Sequence, residues 1–342
     1  MTSLDLIHQL RRNRRRRYLT MIAILSAAVL ALFILALCVG QSVTPLADVI
    51  RILAGKTVAG ASFTVGQLRL PRALLAVLAG CSFGLGGVAL QMMLRNPLAS
   101  PDIIGISSGA SAAAVIAIIL LGMKGVSVSI LAVTAGLGIA LLVYGLSSRN
   151  GVAGARLILV GIAVSAMLES IVAYVLSQAP AWNLQEAMRW LTGSVNGAQM
   201  VQVVPLLLSL AVFGGILIAR TKDLEALRLG EDMAAALGVR VAAARISVIV
   251  GAVGVIASAT AVTGPIAFVS FLSGPIAARL FGSNGSLLIP SALVGALLVL
   301  AGDYVGQFLL PSRYPVGVVT GAFGAPYLLF LIIRVNRAGG SL

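Results

Sequence analysis

Long apolar segments recur along the whole 342-residue chain and restrict what it can fold into. A helix that crosses a lipid bilayer needs about 20 consecutive apolar residues. The chain is 59% hydrophobic, and its mean hydropathy is +1.07. Only 10% of its residues are charged, whereas soluble domains carry roughly 25%. The sequence therefore predicts an all-α, polytopic membrane protein.

The apolar segments divide into about ten predicted spans, with both termini on the cytoplasmic side. These spans cover residues 19–40, 70–92, 103–122, 127–147, 155–178, 199–219, 246–263, 266–281, 287–304 and 316–334. Residues 1–18 would form a basic cytoplasmic N-terminus and residues 336–342 a cytoplasmic tail. We expect residues 19–335 to form a single transmembrane domain, with a charged cytoplasmic segment at about 220–245.

Charge is distributed unevenly between the two predicted sides of the membrane. A net charge of +14 would suggest a nucleic-acid partner for a soluble protein. In the ten-span arrangement, however, most of the 24 Lys and Arg residues lie on the inner side, as the positive-inside rule requires. We therefore expect contact with the bilayer and no nucleic-acid partner. The exceptions on the outer side are Arg51, Lys56, Arg69, Arg72, Lys124, Arg189 and Arg313.

The sequence offers no set of residues for chemistry. His8 is the only histidine, and Cys38 and Cys81 lie in apolar segments without a CxxC spacing. No nucleophile with a base, paired carboxylates or metal-ligand cluster is evident. We therefore predict no catalytic residue, no metal site and no bound cofactor, and we do not expect this chain to be an enzyme.

Two of the outer basic residues, Arg69 and Arg72, are three positions apart, which places them on one face of a helix. Pro71 fits the first helical turn, where its missing N–H costs nothing. The two arginines could extend to the membrane interface. Alternatively, they could bind carboxylates of an external partner, because a guanidinium group donates two parallel hydrogen bonds.

The charged segment on the inner side contains a predicted short helix between Leu229 and Val239. Acidic residues at its start and Gly238 at its end suit the helix dipole and a C-terminal cap. Capping alone would explain these residues. A second interpretation is that Met233 and Leu237 are exposed and insert into a groove of a partner.

Glu169 lies well inside the fifth predicted span. A carboxyl group there costs a few kcal/mol unless it is paired, hydrated or protonated. A transport role and a hydrogen bond to Ser165 or Ser170 both remain open. Elsewhere, three glycine pairs allow close helix approach, namely Gly105 with Gly109, Gly302 with Gly306 and Gly317 with Gly321.

Several motifs in a fixed order resemble the bacterial iron-siderophore and cobalamin ABC-importer permeases. The resemblance extends from about Arg69 to Arg334. The motifs are Gln67–Arg72, Arg95–Ala99 before a small-residue span, Leu229–Gly238, Gly264–Arg279, Pro315–Val318 and Gly324–Pro326. The sequence departs from the family pattern at Ile276, where a histidine usually follows the proline, and at Gln307, where an arginine is usual.

This resemblance implies the permease subunit of an ATP-driven importer in the bacterial inner membrane. Its partners would be a cytoplasmic ABC ATPase dimer that binds ATP and Mg, a substrate-binding protein and a second permease subunit. Iron-siderophore is the expected cargo, with cobalamin or haem as alternatives. The departures at Ile276 and Gln307 favour a heterodimer. A proton-coupled secondary transporter using Glu169 and Asp303 is a distant alternative, and a membrane-embedded enzyme is another.

The resemblance also implies roles for individual residues. Arg69 and Arg72 would receive a glutamate of the binding protein, with Arg313 replacing the arginine absent at Gln307. Gly154 and Ala155, together with Glu169, are gate or pathway candidates. The ATPase-coupling residues would be Gly230, Glu231, Asp232, Met233, Leu237 and Gly238.

Overall fold

The computed structural model describes residues 3–101, 105–147, 154–282 and 284–337. These residues form helices joined by turns, and the helices α3, α8 and α13 each include one wide π-helical turn. The helices are α1 (Ser3–Cys38), α2 (Leu46–Leu53), α3 (Thr64–Leu94), α4 (Ile106–Ile119), α5 (Val126–Ser147), α6 (Gly154–Ser177), α7 (Ala181–Leu191), α8 (Met200–Ala219), α9 (Thr221–Leu227), α10 (Glu231–Ala236), α11 (Val241–Thr263), α12 (Val269–Phe281), α13 (Leu288–Leu309) and α14 (Val316–Arg337).

Within the described residues, seven helices are long and apolar enough to cross a membrane, namely α1, α3, α5, α6, α8, α11 and α13. Three more, α4, α12 and α14, have shorter apolar stretches. Each of the ten predicted spans coincides with one of these helices. The all-helical, multi-pass class is therefore confirmed, whereas ten crossings and the side of each terminus stay predictions.

Two helices begin earlier than the sequence predicted. The first extends back to Ser3, because arginine is a good helix former and nothing in the basic run breaks the helix. The second extends back to Thr64 through the π-helical turn Thr64–Arg69. Its regular α-helical part begins at Leu70 with Pro71 in the first turn, as predicted.

Helix α3 lies at the centre of the bundle and packs against α11, α12 and α13. In its most apolar stretch, 78% of the residues are buried, although no other chain is present. Gly80 and Gly84 contact the backbone of Gly295 and Ser291 so closely that a Cβ atom at either glycine would overlap it. Small residues therefore bring α3 and α13 into direct backbone contact.

The helices at the periphery differ from this centre. In α5, α6 and α8, only 28%, 22% and 22% of the most apolar residues are buried. Their exposed faces carry large apolar side chains such as Leu141, Ile162 and Val204. Such faces need lipid or another subunit as a neighbour.

Candidate functional site

Arg72 on α3 forms a buried ion pair at the predicted outer end of the bundle. Its Nε atom donates to Asp303 Oδ2 at 2.7 Å, and its Nη2 atom donates to Asp303 Oδ1 at 2.7 Å. The side chains of Arg72 and Asp303 are only 19% and 13% exposed. Nη1 also donates to Asn196 Oδ1 at 3.2 Å, between α7 and α8. This arginine therefore links α3 to α13 and to a distant connecting turn.

Arg69, one turn earlier on α3, binds a different part of the chain. Its Nη1 atom donates to the backbone oxygens of Leu37 and Cys38 at 2.9 and 3.1 Å. Its Nη2 atom donates to the backbone oxygen of Ser42 at 2.7 Å. Its guanidinium group therefore supplies donors to carbonyls at the end of α1, which have no partner within that helix.

The outer arginines thus have internal partners that the sequence did not indicate. Arg69 and Arg72 each satisfy a separate cluster of acceptors, and neither is fully exposed. Arg313, in contrast, is exposed in the turn between α13 and α14, and Gln307 is half-buried in the last turn of α13. Docking of a partner at these residues stays a prediction. Sequence reasoning missed Asp303 as the ion-pair partner of Arg72, because 231 positions separate the two residues.

At the predicted inner end, the expected short helix is present as α10. It begins after Gly230, whose φ is +112°, and ends before Gly238, whose φ is +86°. Both values are unfavourable for residues with a Cβ atom. Met233 and Leu237 are 55% and 64% exposed, whereas Ala234 is fully buried against the neighbouring helices. The helix therefore packs against its neighbours through a small residue, while its large apolar side chains are exposed.

An ion pair between Glu231 and Arg245 connects the start of α10 to α11. Beside it lies a cavity of about 30 Å³, lined also by Arg95, Tyr144 and Leu157. That volume suits about one water molecule. The base of α10 therefore adjoins the ends of α3, α5, α6 and α11. Sequence reasoning missed Arg245, whose role depends on how the chain folds back after Gly238.

Glu169 lies on the exposed surface of α6. Ser170 donates to the backbone oxygen of Ala166 at 2.8 Å, and the expected hydrogen bond of Glu169 to Ser165 or Ser170 stays a prediction. Among the described residues, the carboxylate of Glu169 takes part in none of the ion pairs. It therefore faces whatever covers α6. The side-chain surroundings of Gly154 and Ala155, which open α6, lie outside the described residues.

The fold and these two ends define a class of protein. A bundle of apolar helices around a close-packed centre, with a short exposed helix at one end, is typical of a multi-pass membrane protein. The chain belongs to the FecCD transport family, which it matches over residues 28–334. The predicted resemblance is thereby confirmed.

Related proteins cover nearly the whole chain. The ferric enterobactin transport system permease protein FepG of Escherichia coli is 36% identical over 327 residues, or 94% of this chain and 98% of that protein. The achromobactin transport system permease protein CbrC of Dickeya dadantii is 38% identical, covering 90% of this chain and 89% of that protein. A solved structure described as an inward-facing metal-chelate type ABC transporter has a TM-score of 0.81 and 27% identity. It covers 93% of this chain and 99% of that one.

Proposed function

We propose that the chain is the permease subunit of an ATP-driven importer that moves an iron-siderophore complex into the cytoplasm. The observation that carries this proposal is the match to the FecCD transport family over residues 28–334. Relatives named for ferric enterobactin and achromobactin transport are similar over nearly their full length, which favours an iron chelate over cobalamin or haem. A proton-coupled transporter would have no need of the exposed helix α10.

The subunit is located in the bacterial inner membrane, with residues 1–18 and 336–342 in the cytoplasm and residues 19–335 as one transmembrane domain. The basic run Arg11–Arg17 supports this orientation through the positive-inside rule. It places α10 on the cytoplasmic side and the ion pair of Arg72 with Asp303 on the outer side.

Helix α10 couples ATP hydrolysis by a cytoplasmic ATPase dimer to the transmembrane helices. ATP and Mg bind to that dimer, and this chain holds no cofactor and catalyses no reaction. Its exposed apolar residues suit insertion into a hydrophobic groove. The coupling residues are Gly230, Glu231, Asp232, Met233, Leu237 and Gly238.

At the outer end, carboxylates of a substrate-binding protein dock on Arg69, Arg72 and Arg313. Arg313 is exposed and accessible from outside. A carboxylate that binds Arg72, however, competes with Asp303, whose two carboxylate oxygens already accept hydrogen bonds from Nε and Nη2 of Arg72. Docking at Arg72 therefore exchanges one ion pair for another, and so it can alter the contact between α3 and α13.

A second permease subunit covers the exposed face of α6 and completes the pathway. The gate candidates Gly154 and Ala155 open this helix, and Glu169 faces the same exposed side of the bundle. The second subunit is a different chain, because Ile276 and Gln307 depart from the family pattern and a homodimer would double both departures.

The system type is tested by purifying a tagged copy together with the ATPase, the binding protein and the second permease encoded nearby. Reconstituted vesicles should import the iron chelate with ATP and not with a proton gradient alone. A cysteine at Ala235 should crosslink to the ATPase, whereas a cysteine at Lys124, in the predicted outer turn, should not. Uptake driven only by protons would exclude an ATP-driven importer. Full activity with two copies of this chain and no second permease would exclude the heterodimer.

A further inference from the structure

Two arginines and one glutamate meet where α10 adjoins the long helices. Glu231 opens α10 and pairs with Arg245 on α11. Arg95, which follows the last residue of α3, lines the same small cavity, and its Nη1 atom lies 3.6 Å from the position that a Cβ atom would take on Gly230. Among the described residues that line this cavity, Glu231 supplies the only carboxylate. The start of α10 therefore carries a negative charge into a pair of positive ones.

The ion pair matters because little else fixes the position of α10. The helix has only six residues, whereas isolated helices shorter than about 12 residues are marginal in water. Its buried contact is the single methyl group of Ala234, which packs near Leu227 and Ala244. The side chain of Arg245 is only 12% exposed, and that of Glu231 is 42% exposed. Glu231 therefore ties a helix at the surface to a buried point on α11.

Helix α11 continues from this point to the opposite end of the bundle. It is unbroken over 23 residues, a rise of about 33 Å. The backbone oxygen of its last residue, Thr263, accepts a hydrogen bond from Ser194 N at 2.6 Å. The Ser194 hydroxyl accepts one from Asn196 N at 3.0 Å, and Asn196 Oδ1 accepts one from Arg72 at 3.2 Å. A continuous helix and three hydrogen bonds therefore connect the inner ion pair to the outer one.

We propose that Arg245 is a positioning residue that acts through Glu231: it fixes α10 to α11, so that displacement of α10 by the ATPase reaches Arg72 at the outer end. The proposal rests on the proposed function, which places the ATPase at α10 and the binding protein at Arg72. Rigid helices and hydrogen-bonded networks of this kind carry coupling between distant sites. Without the ion pair, α10 would turn about Gly230 and Gly238, and its displacement would not reach α11.

The test measures the Kd of the binding protein for the complete complex in nanodiscs, with and without the ATP analogue AMP-PNP and Mg²⁺. In the unmodified complex the two values should differ at least about fivefold, the lower end of typical coupling between sites. Arg245→Gln should remove this difference while the ATPase stays bound. Arg15→Gln, which removes an exposed arginine on α1, should preserve it. Glu231→Arg combined with Arg245→Glu exchanges the two charges and should restore it, which a purely structural role of Arg245 would not predict.

A second measurement needs no partner protein. A nitroxide label on Ala235→Cys, in a purified chain whose Cys38 and Cys81 are replaced by alanine, reports the motion of α10 by electron paramagnetic resonance. Its mobility should rise in Arg245→Gln and return in the charge exchange.

An unchanged label in Arg245→Gln would overturn the proposal, whatever the chain transports. A mobile label with an unchanged difference in Kd would overturn it as well, because coupling would then not depend on the ion pair. Failure of the unmodified chain to bind the ATPase or the binding protein would instead refute the proposed function, which the label measurement does not use.

Discussion

The outer and inner ends of this bundle expose opposite kinds of surface. At the outer end, Arg69 and Arg72 satisfy carbonyl and carboxylate oxygens of their own chain. At the inner end, Met233 and Leu237 extend into solvent from a helix that a single ion pair and a buried alanine hold in place. The outer end is therefore stabilised by polar contacts that a partner would have to replace with its own. The inner end instead presents exposed apolar side chains.

This difference has a thermodynamic consequence for the two proposed partners. Replacing the carboxylate of Asp303 with that of a binding protein keeps the number of ion pairs constant, so docking at Arg72 contributes specificity more than affinity. Burying Met233 and Leu237 removes apolar area from water, and this contributes about 25 cal/mol for each Å². We therefore expect the ATPase to bind stably and the binding protein to bind transiently.

The largest effect should follow from breaking the outer ion pair. Arg72→Ala leaves Asp303 buried without its partner, and such a change typically costs about 3–5 kcal/mol of folding stability. Thermal unfolding of the purified subunit in detergent measures this loss. As a control, Arg72→Met combined with Asp303→Leu removes both charges, and its stability should stay close to that of the unmodified chain.

The same double variant sharpens the comparison, because it separates folding from docking. If Arg72 docks the binding protein, the stable double variant should still lose chelate uptake. Normal uptake in this variant would assign Arg72 to folding alone and leave Arg313 as the docking candidate.

An intermediate effect is expected at the inner end. Leu237→Asp places a carboxylate where we propose an apolar groove of the ATPase, and burying an unpaired polar group costs a few kcal/mol. ATP-driven uptake should fall at least about tenfold, while thermal stability stays nearly constant because Leu237 is 64% exposed. Leu53→Asp alters a leucine that is 50% exposed and lies outside the predicted spans, and it should leave uptake intact. A Leu237→Asp variant with normal coupled hydrolysis would contradict the role of α10.

The smallest effect is predicted between the two ends, at Glu169. Glu169→Gln keeps the size and hydrogen-bonding capacity of the side chain and should retain uptake. Glu169→Leu removes the polar group and should lower uptake roughly two- to fivefold, an effect comparable to losing one hydrogen bond. Initial rates of chelate uptake at matched expression levels measure both. Full uptake in the Leu variant would show that this position tolerates loss of its polar group.

The sequence was informative where local pattern determines structure. Apolar segments located the helices, and the acidic residues before Gly238 located α10, because they suit the helix dipole and a C-terminal glycine cap. Pairing between distant segments left no such local pattern. Arg72 was assigned to an external partner, since nothing near it in sequence reveals that Asp303 lies 2.7 Å away in the fold.

Glycine pairs illustrate the same limit. The sequence singled out Gly317, which does lie against the backbone of Thr192, and Gly321, which has only ordinary contacts. It overlooked Gly80 and Gly84, where α3 meets α13 backbone to backbone. A glycine pattern shows that close approach is allowed, but the partner helix depends on how the whole chain packs.

The contact between Gly80 and Gly295 also determines where a solute can travel. Because the backbones of α3 and α13 are in contact there, not even a water molecule fits between these two helices. Separating them would disrupt the close packing that is typical of native protein interiors. No solute can therefore pass between α3 and α13 at this point. If the chain is one of two permease subunits, as we propose, the route lies along a surface of this bundle, and this chain forms only one of its walls.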